Sequence, residues 1–158
     1  METLTFQLVS KDEFHAIGIE LTGPYSELQQ IGPLWQTFVS RIGEIPARIN
    51  PDAMVSMGLT KDRPTDFTYY ASVEVANVSE VPEGMVSLTV PAASYAVFTH
   101  KGSTDKLGDT INQARRTIKE SGYGINHDAY WFELYDKRYN PTSENSEFDL
   151  YFPIAAKI

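Results

Sequence analysis

The chain predicts an α+β fold in which one strand–strand–helix–strand–strand unit occurs twice. Three observations predict it. Short apolar runs with the character of half-buried strands recur at 4–9, 14–21, 54–59, 66–75, 85–90, 94–99, 130–135 and 148–152. Two longer segments, one in each half, instead carry apolar residues at helical spacing. Finally, Phe14-His15-Ala16-Ile17 ahead of the first helical segment has a counterpart in Tyr95-Ala96-Val97-Phe98 ahead of the second.

The elements follow in order. Lys11-Asp12-Glu13 is a charged turn between the first two strands. Over 27–42 the apolar residues Leu28, Ile31, Leu34, Trp35, Phe38, Val39 and Ile42 form a one-sided stripe, and Gly43 ends the helix. Pro33 lacks an amide donor and clashes one turn back, so the regular helix begins near it, after an irregular turn capped by Ser26. A connection containing Pro46 and Pro51 leads to a hairpin of strands 54–59 and 66–75 around the polar turn 60–65.

Pro82 and Gly84 break the chain at 80–84, the joint between half-repeats of about 1–80 and 85–158. Pro91 divides strands 85–90 and 94–99. Ser103 or Thr104 caps a second helix with Leu107, Ile111, Ala114 and Ile118 on one face, stopped by Gly122 and Gly124. Strands 130–135 and 148–152 then make a second hairpin with Asn140-Pro141 in its turn. A module of this size cannot cover its own sheet. The halves are therefore expected to share one core as a single domain about a pseudo-two-fold axis, with an antiparallel sheet, two main helices and a central cleft.

Composition narrows the function. At 158 residues and 42% hydrophobic content the chain can build a core without disulfides or a structural metal. A net charge of -8, from 13 basic and 21 acidic residues, argues against direct contact with nucleic acid, which needs a local excess of Lys and Arg. Without cysteine there is no thiolate nucleophile, iron–sulfur cluster or Cys-based zinc site, and His15, His100 and His127 show no ligand spacing. No metal or cofactor is implied. Nucleotide-binding glycine loops and a Gly-x-Ser-x-Gly elbow are missing. The amino terminus lacks a secretory pattern, and no stretch approaches the roughly 20 apolar residues of a membrane span, so a cytoplasmic protein without membrane contact is expected. Nine Tyr, eight Phe and two Trp suit a core that also lines an apolar binding cavity.

The most informative stretch is 130–136. Strand alternation places Trp131, Glu133 and Tyr135 on one face and Tyr130, Phe132 and Leu134 on the other. If the first face lines a cavity, Glu133 meets an organic cation by charge attraction while the ring faces hold its apolar surface; the alternative is a solvated face with an ordinary surface acid. In the first hairpin, alternation sends Tyr69 and Tyr70 to opposite faces and leaves open which of them faces inward. Lys101, Lys106, Arg115, Arg116 and Lys119 around the second helix fit a solvated helix face, and Glu144, Glu147 and Asp149 fit a solvated turn.

Taken together, Pro33-Leu34-Trp35, the strand 67–75, the joint 81–85, the run 91–98, Trp131-Phe132-Glu133-Leu134-Tyr135 and the last strand 148–154 resemble the GyrI-like small-molecule-binding family over nearly the whole chain. That family is similar to the effector-binding domains of multidrug regulators of the AraC and MerR types. The resemblance implies two strand–helix–strand–strand modules around a cleft with a carboxylate that recognises lipophilic cations. The carboxylate maps onto Glu133, and the aromatic positions onto Tyr135, Trp131, Trp35 and one or both of Tyr69 and Tyr70, with Phe148 or Tyr151 added by the last strand. A helix-turn-helix and basic recognition helix are missing, so DNA reading is not expected of this chain.

The leading expectation is a binding module for hydrophobic, cationic, drug-like small molecules. Two other readings come with the resemblance. One is a hydrolase of cyclopropane-containing compounds, with Glu133 as general base and Tyr135 or another cleft tyrosine as hydroxyl donor. The other is a protein-interaction role of the gyrase-inhibitor kind, toward an unidentified protein partner.

Overall fold

Among the described residues every strand is antiparallel to its neighbours, and the order of the strands shows how the two halves interlock. The computed structural model describes residues 5–49, 56–62, 64–102, 106–126, 129–140 and 144–155. Along the chain come β1 (Gln7–Lys11), β2 (Phe14–Pro24), α1 (Ile31–Arg41), β3 (Ser56–Asp62) and β4 (Asp66–Val75). Then follow β5 (Val86–Val90), β6 (Ala93–Lys101), α2 (Leu107–Glu120), β7 (Gly124–Ile125), β8 (Trp131–Tyr135) and β9 (Glu147–Ala155).

The sheet order is β1-β6-β9-β8-β3-β4-β2-β5, with the short β7 paired to the end of β9. Exchanging each strand of one half for its counterpart in the other reverses this order onto itself, which is the signature of a pseudo-two-fold axis between β3 and β8. The first strand of each half also crosses over: β1 pairs with β6, and β5 with β2. Each half thus completes the sheet edge of the other.

The helices cover one face. α1 packs Phe38 against Ile17, Phe67, Tyr69, Ala71 and Val73, and α2 packs Ala114 and Ile118 against Ala96, Phe98, Phe148, Leu150 and Phe152. The other face carries its own cluster of Phe14, Met57, Leu59, Tyr95 and Phe132, flanked by Tyr70 and Tyr151. Lys11 stands over that cluster with its Nζ 5.0 Å from the Phe14 ring centre. At the joint, Gly84 takes a positive φ of 82° and lets the Met85 amide donate to the Pro82 carbonyl at 3.0 Å, a tight turn into β5. Among the described residues no helix is long and apolar enough to cross a membrane.

Several boundaries differ from the sequence reading. Lys11 is the last residue of β1. β3 continues through Thr60 and Lys61, which read as turn, because β4 offers them a complete ladder down to the Asp62–Phe67 pair. Backbone pairing here overrides polar composition. Gly124 opens β7 instead of ending α2. A 3-10 turn over Tyr25–Gln30 precedes α1, and Ser26 lies inside that turn, whereas the N-cap of α1 is Gln30, without a side-chain cap. Val39, part of the predicted stripe, is exposed. Pro51, Met54, Val55, Arg63, Ser103, Thr104, His127 and Pro141 lie outside the described residues.

Candidate functional site

β4, β3 and β8 lie side by side at the middle of the sheet. Register sets Thr60 of β3 between Tyr69 and Trp131, and Gly58 between Ala71 and Glu133. Residues directly opposite in an antiparallel ladder share a face. These six therefore form a floor whose central strand carries small residues and whose flanks carry rings and a carboxylate. Glu133 stands opposite Gly58 at the middle of the β3–β8 ladder. One half-repeat thus supplies charge where the other supplies space.

The space at Gly58 is required. A Cβ built there would overlap the Tyr69 hydroxyl and stand 2.6 Å from Glu133 Oε1. With no side chain in the way, Tyr69 Oη donates to Glu133 Oε1 at 2.9 Å, and Trp35 of α1 donates its indole N–H to Tyr69 Oη at 2.8 Å. The Tyr135 hydroxyl also hydrogen-bonds the Glu133 carboxylate. Trp35 meets Tyr135 edge-on, ring centres 5.5 Å apart, and Trp131 stacks on Phe152 at 5.5 Å.

Electrostatics follow from this burial. Glu133 is 6% exposed. Burial pushes its carboxyl up to about 7, and the hydrogen bonds from Tyr69 and Tyr135 restrain the rise. Burial, and after it the neighbouring carboxylate, pushes the Tyr69 and Tyr135 hydroxyls well above their ordinary range, so both remain donors. A charge-assisted hydrogen bond of this kind contributes about 1.5–3 kcal/mol to holding the carboxylate in place.

Above this floor, between α1 and α2, opens a cavity of about 680 Å3. Trp35, Thr60, Tyr69, Trp131, Glu133 and Tyr135 line it from below and from α1, while Leu107, Ile111 and Arg115 line it from the α2 side. A smaller hollow of about 340 Å3 shares Tyr25, Arg115 and Trp131 with it.

Of the residues singled out in the sequence, Glu133, Tyr135, Trp131, Trp35 and Tyr69 come together around this cavity. The choice between the two tyrosines falls on Tyr69. Tyr70 points to the other face, where its ring meets Tyr130 at 6.0 Å. Tyr151 is on that face too: register pairs it with Phe132, and the two rings stack at 4.5 Å. Phe148 is fully buried beneath Tyr135, ring centres 4.7 Å apart, and steadies that ring without reaching the cavity. Among the residues that shape the site without having been singled out are Thr60, which lines the cavity, Tyr139, which lines it beside Tyr135, and Gly58, opposite Glu133. The sequence signal for Gly58 is a glycine inside a strand pattern, which marks a close approach. Arg115, expected on a solvated helix face, borders the cavity with its guanidinium carbon 5.8 Å from the Trp131 ring centre.

Comparison with known proteins gives this geometry a context. The chain is 38% identical over 151 residues to the transcriptional regulator BrlR of Pseudomonas aeruginosa, an alignment covering 94% of this chain and 54% of BrlR. The chain thus spans about half the length of this relative. Among solved structures, SAV2435 bound to tetraphenylphosphonium superposes with a TM-score of 0.79 at 21% identity, covering 99% of this chain and 95% of that one. EcmrR in its DNA complex superposes with a TM-score of 0.73 at 17% identity, covering all of this chain and 59% of EcmrR. Both show the same fold. The family model for Cass2, the integron-associated effector binding protein, matches residues 7–154, and the chain therefore belongs to that family of GyrI-like effector-binding domains.

Proposed function

We propose that this chain binds lipophilic organic cations in the cavity between α1 and α2, with Glu133 as the counter-charge, and so acts as a cytoplasmic sensor of drug-like molecules. One observation carries the reading. A carboxylate is held at the floor of an aromatic cavity by two tyrosine hydroxyls, with no ion-pair partner among the described residues.

Ionising a buried carboxylate is unfavourable until an opposite charge arrives, and a large organic cation with diffuse charge brings that charge while losing little hydration. The faces of Trp35, Tyr69, Trp131 and Tyr135 attract the same cation through their quadrupoles. About 680 Å3 suits an organic ligand of drug-like size. The tetraphenylphosphonium held by SAV2435 belongs to this chemical class, which supports the reading. Kinship with BrlR and EcmrR supports a link between occupancy and transcription control.

The test is calorimetric titration of the wild type and Glu133→Gln with tetraphenylphosphonium and with neutral triphenylphosphine oxide. The wild type is expected to prefer the cation. The Gln variant is expected to lose about 30-fold or more in affinity for it with little change toward the neutral compound, as truncation of one buried charge partner predicts. Equal cation affinity in the two proteins would overturn the proposal. Turnover of a cyclopropane-containing panel, read by mass analysis, would replace it with the hydrolase reading, and absence of any binding would favour a protein partner.

A further inference from the structure

Three buried polar side chains line the cavity, Thr60, Tyr69 and Glu133. Two are satisfied: Tyr69 and Glu133 bond to each other, to Trp35 and to Tyr135. Thr60 is not. Its Oγ1 is buried and has no hydrogen-bond partner. Two other buried hydroxyls in the same sheet are satisfied: Ser72 donates to the Met57 carbonyl at 3.0 Å and Thr68 bonds Thr22 at 3.0 Å. The other buried polar atom found without a partner among the described residues, Tyr95 Oη, belongs to the cluster on the opposite face.

Buried hydroxyls are nearly always hydrogen-bonded, and valine would fill the volume of Thr60 without leaving a polar atom unpaired. Register fixes where the unpaired atom lies: in the floor, one pair along the β3–β8 ladder from Glu133, flanked by Tyr69 and Trp131. Thr60 lines the cavity, but its Oγ1 has almost no accessible surface, so a ligand group reaches that atom once the side chain turns about its Cα–Cβ bond and brings Oγ1 to the cavity wall.

We propose that Thr60 is a specificity-determining residue, and that the effector is an aromatic cation bearing a hydroxyl or carbonyl group that hydrogen-bonds Thr60 Oγ1. This rests on the reading of the cavity as a cation site and adds a second, polar point of recognition to it. A threonine hydroxyl both donates and accepts, which admits either group. A polar group in a closed apolar site discriminates strongly, because an analogue lacking its partner leaves that group unpaired.

The experiment compares tetraphenylphosphonium with its 2-, 3- and 4-monohydroxyphenyl and monoacetylphenyl analogues on the wild type, Thr60→Val, Thr60→Ser and Glu133→Gln. At least one substituted cation is expected to bind the wild type five- to twentyfold more tightly than the parent. Thr60→Val is expected to remove that gain, so that parent and substituted cations bind it alike, and to melt no lower, and Thr60→Ser to keep it. Glu133→Gln is expected to weaken parent and substituted cations alike. Cations that bind the wild type with no substituent preference, or a preference that survives in Thr60→Val, would overturn the role of Thr60 and leave the cation site standing. Failure of every cation to bind the wild type would overturn the underlying reading and this inference with it.

Discussion

At the scale of single residues, the site turns on one carboxylate placed where ionisation is difficult. Burial raises the Glu133 carboxyl from an ordinary value of 4.5 to about 7. The folded chain then holds a proton that the unfolded chain releases at lower pH. Glu133 therefore costs nothing below about pH 4.5, lowers stability progressively as pH rises to about 7, and adds a constant penalty of up to about 3 kcal/mol above that. Urea unfolding of ligand-free wild type and Glu133→Gln should show a difference that grows across this window and is flat beyond it. Cation affinity should run the opposite way, rising about tenfold per pH unit on the acid side of 7 and levelling above it, because only the ionised form attracts the ligand. A wild-type affinity independent of pH from 5 to 8 would contradict the assigned role.

At the scale of elements, the central strand β3 decides the shape of the floor by what it leaves out. Ser56, Gly58 and Thr60 are small residues on its helix-facing side, and the rings of β4 and β8 lean into the room above them. Gly58→Ala is expected to fold, since β3 is paired on both sides. Its new methyl group overlaps the Tyr69 hydroxyl and crowds Glu133, so the Tyr69–Glu133 hydrogen bond must break. Affinity for tetraphenylphosphonium should fall about tenfold or more, the order expected from losing one charge-assisted hydrogen bond. The Trp35 fluorescence, tied to Tyr69 through the indole N–H, should shift with it. An Ala variant with wild-type affinity would show that the Tyr69 contact does not position the carboxylate.

At the scale of the whole molecule, the palindromic strand order makes the halves mutually dependent. β1 closes the second half's sheet and β5 closes the first half's, so a chain cut at the joint near Gly84 would leave β6 and β2 with unpaired edges. The cavity is shared likewise, with Trp35 and Tyr69 from one half and Trp131, Glu133 and Tyr135 from the other. The intact chain is expected to unfold in one transition by circular dichroism and fluorescence, and the segment 1–83 expressed alone to show no cooperative transition. A half that melts cooperatively by itself would refute this dependence.

The sequence alone determined the elements whose patterns repeat locally. The stripe from Ile31 to Phe38, the breaks at Pro82 and Gly84 and the alternation of 131–135 are all set by spacing, and they led to two helices, a doubled sheet and a carboxylate flanked by rings. Only the tertiary structure decided what depends on partners far away in the chain. Alternation separates Tyr69 from Tyr70, but which of them faces the cavity depends on where α1 lands. Tyr151 turned away because its register binds it to Phe132, and no local pattern encodes register. Thr60 read as turn because its neighbours are polar, and it became floor because β4 and β8 both paired with it. Strand exchange, the room at Gly58 and the burial that lifts Glu133 arise in the same way, from contacts made only once the chain has closed on itself.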